Sequence, residues 1–197
     1  MKKKIVAFVL VFALALALGI GGTVAWLTAT TTSVVNTFTV GDINITLTET
    51  TGNDYDFVPG DKIEKNPKVT VLKDSEDCYV FVKIAEDKNT ITVGDATEKV
   101  VTYTPATGWT AVDGVSGVYW TKVSAEEVKS ADKGIEVFAG NTVTVSSNIT
   151  ESMAETMETA KPTLTLTAYA IQSANVANDN ETEAQTVARL WKDNFAS

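Results

Sequence analysis

Hydrophobic and polar positions change rhythm twice along this chain. From Ile5 to Ile20 the residues are apolar without interruption, and Gly19, Gly21 and Gly22 then break the run. From Trp26 to Thr39 the chain is uncharged and dominated by Thr, Ser and Val, with no Pro or Gly to interrupt an extended strand. After Gly41 the pattern becomes two-fold. Ile43, Ile45 and Leu47 alternate with polar neighbours, the period of a half-buried strand. Cys78, Val80, Val82 and Ile84 share one face of a run whose other face carries Tyr79, Phe81 and Lys83. A strand apolar on both faces belongs between two layers.

The same pattern predicts further strands at 69–71, 90–93, 99–104, 118–123, 135–138, 142–145 and 163–171. Ala139-Gly140-Asn141 reads as a tight connection between two of them. Gly52, Asn53, Asp54, Pro59 and Gly60 mark the 50–60 stretch as a loop. About eight strands without βα alternation predict an all-β protein, a jelly-roll-like antiparallel β-sandwich with a C-terminal helix and short decorating helices. One short helix is predicted at 124–130, with Ser124 and Glu127 in capping-box spacing. The C-terminal helix is predicted at about 181–195, capped by Asn180 with Glu183 or by Thr182 with Gln185. Its apolar positions Ala184, Val187, Ala188, Trp191 and Phe195 recur at helical spacing and should pack on the sandwich. The stretch 151–161, with Met153 and Met157, is compatible with a short helix or an exposed loop.

The N-terminal rhythm is an address. Lys2, Lys3 and Lys4 precede the apolar run, and Thr23 and Ala25 supply small residues at the −3 and −1 positions of a cut between Ala25 and Trp26. Residues 1–25 therefore read as a signal peptide of a secreted protein; an uncleaved membrane anchor is the alternative, for which the run is short. The mature chain divides into an uncharged segment, 26–40, and a body, 41–197. No Cys follows the apolar run, so lipid attachment there is excluded.

Charge and composition narrow the chemistry. The chain has 197 residues, no histidine, one cysteine and a net charge of −9. Without Lys2–Lys4, 13 basic side chains face 25 acidic ones, a net charge of −12, and every one of those charges lies beyond Gly41. An acidic body gives no nucleic-acid surface. The absence of His removes Ser-His-Asp and Cys-His catalysis and imidazole-ligated zinc. Asp54, Asp56 and Asp61, or Asp74, Glu76 and Asp77, fit no EF-hand spacing and read as solvated loop charges. Cys78 reads as a small core residue. No catalytic, cofactor or metal residue is expected. Trp109 and Trp120 could stack on a sugar, although packing is the plainer reading. Asn44, Asn148 and Asn180 begin Asn-x-Ser/Thr triplets, which matter only in a host that glycosylates them.

These motifs resemble a known family. Gly21-Gly22-Thr23-Val24-Ala25-Trp26-Leu27-Thr28, Asn36-Thr37-Phe38-Thr39-Val40-Gly41, Val58-Pro59-Gly60-Asp61, Asp77 to Ile84 and Leu166 to Gln172 are similar to the TasA/camelysin proteins of Gram-positive bacteria. The resemblance implies a signal peptide cut by a SipW-type signal peptidase and a secreted jelly-roll protein of the biofilm matrix or cell surface. It also implies fibres made by donor-strand complementation, each chain's N-terminal segment completing a neighbour's sheet. Carried onto this sequence, the donor runs from Trp26 to about Phe38, with Leu27, Val34, Val35 and Phe38 filling pockets. The partners implied are further copies of the chain, head to tail, the signal peptidase, and matrix or surface components. Some relatives are classed as metallopeptidases; with no His and no HExxH helix, that activity is not carried over. Two alternatives stay open beside the fibre, a binding module using the loops around Trp109 to Trp120 and a camelysin-type secreted peptidase.

Overall fold

The most apolar strand lies at the centre of the fold. In the computed structural model, which describes residues 42–52, 57–159 and 161–196, β4 (Cys78–Asp87) is flanked on both sides. β12 (Thr163–Gln172) pairs with it antiparallel over ten positions, from Thr163–Asp87 to Gln172–Cys78. β9 (Val118–Val123) pairs with its other edge, and β8 (Thr110–Ala111) completes the order β12-β4-β9-β8. This is the first layer.

The second layer is built from β1 (Ile45–Thr48), β2 (Lys62–Glu64), β3 (Lys68–Val71), β7 (Val101–Thr102), β10 (Lys133–Glu136) and β11 (Thr142–Val145). β3 pairs with β1 and β10, and β11 pairs with β2 and β7. These two groups form one irregular sheet. Between the pairs Glu136–Lys68 and Thr142–Glu64, one strand advances four residues and the other six. Hydrogen bonds from Val137 N to Pro67 O (3.0 Å) and from Lys65 N to Asn141 O (2.7 Å) carry the pairing across the gap. The two extra residues are taken up by a 3₁₀ turn at Ala139–Asn141, where Gly140 (φ 64°) and Asn141 (φ 54°) enter the left-handed region that these residue types tolerate. The expected tight connection is thus a bulge within one strand line, because β10 and β11 both pair with the β2–β3 line and not with each other.

Alternation explains the core. Cys78, Val80, Val82 and Ile84 from the first layer meet Val69, Val71 and Val143 from the second. Each fully buried aliphatic side chain contributes ~1.5–3 kcal/mol of transfer free energy. The opposite face of β4, with Tyr79 and Phe81, is covered by α2 (Glu183–Asn194) through Val187, Leu190 and Trp191. The first layer therefore lies between the second layer and a helix, which is why β4 is apolar on both faces.

Local chemistry selects among the helix alternatives. Thr182 caps α2: Gln185 N donates to Thr182 Oγ1 (3.3 Å) and Thr182 N donates to Gln185 Oε1 (2.9 Å). Leu190, absent from the stripe read in the sequence, is buried beside Trp191. The stretch after Thr150 forms α1 (Glu151–Thr159), with Met153 and Met157 buried one turn apart. At Ser124 the expected two-turn helix is a single 3₁₀ turn, Ala125–Val128, held by Ser124 N donating to Glu127 Oε2 (2.9 Å). The strand expected at 99–104 is divided. β6 (Ala96–Lys99) pairs with β5 (Thr90–Val93) in a hairpin, while β7 joins β11. Buried Asn89 fixes that division, because its side chain accepts from Val101 N (2.8 Å) and donates to Val101 O (2.9 Å).

Candidate assembly edge

Strand order leaves the two layers with different sides. On one side, the chain between β7 and β8 crosses from the second layer to the first. Ala106 N donates to Val137 O (2.8 Å), Pro105 bridges to Phe138, and Trp109 Nε1 donates to Glu136 O (2.7 Å). That side is closed by the protein itself. On the other side β12 ends the first layer and β1 ends the second, with Cα atoms of the two strands within 8 Å. Among the described residues, β12 pairs only with β4 and β1 only with β3.

The sequence of β12, TLTLTAYAIQ, carries no charge and no proline. Ala168 and Ala170 are buried in the inner core, while Leu164 and Leu166 of the same face are half-buried. On the outer face Tyr169 packs on Trp191 (5.3 Å between ring centroids) and on Phe195 (4.9 Å), so α2 shields the C-terminal half of the strand. Thr163 and Thr165, at its N-terminal half, are exposed. Leu47 of β1 is also half-buried against the inner core. Half-covered leucines and an unpaired backbone edge are what a further strand would satisfy.

The ionisable groups around this body are structural. Burial alone would raise the Glu86 carboxyl, but hydrogen bonds from Lys99 (2.8 Å), Asn89 (2.8 Å) and Tyr103 (2.9 Å) carry it below its ordinary value. The Tyr103 hydroxyl is raised by burial and then by Glu86. The Glu181 carboxyl is lowered to about 2, first by Arg189, with Asn178 and Thr186 also donating. Arg189 donates onward to Val176 O (2.6 Å), which ties the loop before α2 to the helix. Burial, then Asp77 and Glu127, push the Cys78 thiol up to about 12, so the free side chain is a protonated core thiol at neutral pH.

The residues singled out in the sequence fall as follows. Ala25, Trp26, Leu27, Val34, Val35 and Phe38 lie outside the described residues, as do Asp54 and Asp56. Trp109 belongs to the inner core, whereas Trp120 packs with the outer cluster and meets Tyr79 edge-on at 5.6 Å, so the two indoles form no common platform. Asp77 is used internally, its Oδ1 accepting from Ala125 N (2.7 Å). Among the described residues no three His, Cys, Asp or Glu side chains converge to hold a metal ion. A groove beside α2, with Asp113, Arg189, Lys192 and Asp193 in its lining, mixes both charges and gathers no nucleophile. The edge of β12, without a second strand partner among the described residues, is what sequence reading missed. The signal was there, a ten-residue strand without a charge, but position in the sheet was not.

A family model described as camelysin metallo-endopeptidase matches residues 1–100. The chain belongs to the camelysin family. Membership of this camelysin/TasA family supports a protein of the secreted matrix or cell surface. No curated protein matches the chain, and no solved structure does. Among the described residues no helix is long and apolar enough to cross a membrane. The metal implied by the camelysin description does not fit the described residues. There is no histidine in the chain, the one thiol is buried in the core, and among the described residues no three thiol or carboxylate side chains converge.

Proposed function

We propose that the mature chain is a non-catalytic structural subunit of the secreted matrix or cell surface, which polymerises by donating its N-terminal segment, 26–40, to the sheet of a neighbouring copy. The observation that carries this reading is the segregation of charge. No charged residue occurs between Ile5 and Gly41, and a net charge of −12 sits on the rest of the mature chain. A neutral, β-prone strand can enter a sheet without desolvating an ion, while the acidic body keeps unassembled subunits soluble by repulsion. Head-to-tail donation does not close on itself, so it produces filaments. Signal peptidase would release the segment by cutting between Ala25 and Trp26, and Leu27, Val34, Val35 and Phe38 would supply its apolar contacts.

Electron microscopy of the mature protein, with and without residues 26–38, tests the reading. Fibres are expected from the full mature chain and none from the truncated one; two monomeric preparations under all assembly conditions would refute it. The camelysin description favours a second reading, a secreted metallo-endopeptidase. Casein cleavage that survives purification and stops with a chelator would establish it, and no cleavage at high protein concentration would close it.

A further inference from the structure

We propose that the acceptor for the neighbour's N-terminal segment is the edge of β12 that has no strand partner among the described residues, on the side of the sandwich where β12 runs beside β1. The proposal rests on the strand-donation reading above and adds the surface that receives the strand. The occupant is residues 26–40 of a second copy of this chain.

The edges of the molecule are unequal. β7 and β8 are two residues long, and the chain between them covers that side. β6 carries Glu98 and Lys99, charges that oppose addition of a strand, and its partner β5 lies against α1. β1 is uncharged but only four residues long. β12 is ten residues long, uncharged, without proline, and contains no residue in the left-handed region that would twist it out of line. Proteins ordinarily protect such an edge with a lysine, a proline or a bulge; Lys161 and Pro162 stand just before the strand, but none of the three occurs within Thr163–Gln172. Ten extended residues span about 33 Å, a length that the fifteen residues of the segment 26–40 cover with some to spare.

Charge and packing point to the same edge. An incoming strand beside β12 meets Thr and aliphatic side chains, and it finds Leu47, Leu164 and Leu166 half-covered there. The tether favours a neighbour over the chain's own segment. Asp42 O accepts from Glu76 N (3.1 Å), two residues before Cys78, which pairs with Gln172. Asp42, where the described body begins, therefore sits near the C-terminal end of β12, and a preceding segment that covered its own chain's edge would have to run parallel to that strand. A neighbour's segment is free to add antiparallel, continuing the antiparallel order of this layer with the better hydrogen-bond geometry.

The test uses the full mature chain. The double variant Thr163→Lys with Thr165→Lys places two lysines on the exposed part of the edge; Thr102→Lys, on β7, is the matched control. The pelletable fraction is expected to fall at least ~10-fold in the double variant, the factor that ~1.4 kcal/mol carries, with an unchanged melting temperature, and to stay at the parent level in the control. Cross-linking provides an independent readout, because the native Cys78 is buried. Thr165→Cys, combined in turn with Thr31→Cys, Thr32→Cys, Ser33→Cys and Val34→Cys, should give a ladder of disulfide-linked multimers under oxidation. The edge assignment is overturned if the lysines leave assembly intact, if only Thr46→Cys or Thr102→Cys yields the ladder, or if the cross-link forms within one chain. If the chain lacking 26–38 still forms fibres, the strand-donation reading itself fails. If that truncation abolishes fibres and the lysine pair does not, only the acceptor edge is wrong.

Discussion

The two sides of this sandwich are made of similar strands and are finished differently. Between β7 and β8 the chain crosses from one layer to the other, fills the gap with Trp109, and satisfies the local backbone through Asn89, Ala106 and the Pro105–Phe138 bridge. Between β12 and β1, among the described residues, both edges lack a second strand partner and three leucines are half-covered. Strand propensity does not make this difference. β12 alternates as well as any strand in the protein and pairs with β4 over its whole length. The difference lies in whether a segment among the described residues crosses over, and a side that none of them crosses leaves those backbone groups available to a further strand.

The comparison is broken most severely by removing what closes the first side. Trp109→Ala should cost ~3–5 kcal/mol, since a large indole in the inner core is replaced by a cavity and its hydrogen bond to Glu136 O is lost. Urea unfolding of the monomeric body would read this, and a loss below ~1 kcal/mol would mean that the closed side is not a packed unit. Alkylation of Cys78 gives a second measure, because its thiol, pushed up to about 12, should react at pH 8 only when the sandwich opens. Next in size is Asn89→Ala, which leaves the N–H and the carbonyl of Val101 without their partner. Each orphaned buried group costs ~1–3 kcal/mol, and hydrogen exchange at β7 should accelerate more than at β4.

Acid should loosen the outer cover of the open side. Glu181 is held at about 2 in the folded protein, below the ~4.3 of an unperturbed glutamate. Its contribution is therefore complete above the unfolded value and is lost as pH falls from about 4 towards 2. Tryptophan fluorescence from Trp191 should report the change of α2 in that window, and Glu181→Gln should remove this part of the pH dependence. A profile identical to that of the parent would show that the Arg189 contact does not hold the helix.

Two smaller effects sharpen the contrast. Thr182→Ala removes the cap of α2 and should cost ~1 kcal/mol by thermal unfolding; no change would mean that the cap is redundant with the Glu181–Arg189 contact. Thr165→Ala, at the exposed edge of β12, should alter monomer stability by no more than ~0.5 kcal/mol. A large loss there would show that the open side is already used within the monomer.

Much of the fold was legible because its signals are local. The two-fold alternation located the strands of the core, and the helical spacing of Val187 and Trp191 located α2 and the face it buries. The capping alternatives narrowed to Thr182 with Gln185 only when the backbone geometry was known. β2 and β8 were not legible, being three and two residues long and too short to show a period, and β6, no shorter than strands that were read, has no apolar alternation in its sequence ATEK. Ala139-Gly140-Asn141 misled for a related reason. A glycine and an asparagine with positive φ serve a hairpin turn and a bulge equally well, and the choice depends on which strands lie alongside. At the candidate site, the strand β12 was readable from its uncharged alternation, but its place in the sheet was not, and the expected donor residues Leu27 to Phe38 lie outside the described residues.

The sequence by itself determined the period of each element, the absence of imidazole chemistry, and the separation of an uncharged N-terminal segment from an acidic body, because each depends on residue type and spacing along the chain. Only the tertiary structure decided what covers each face of β4, that Trp109 and Trp120 belong to different clusters, and that β12 stands at an edge among the described residues. Neighbours in a sheet are set by chain crossings between residues far apart in sequence. The composition of β4, apolar on both faces, announced its place between layers, whereas the place of β12 came from chain crossings that its own residues do not show.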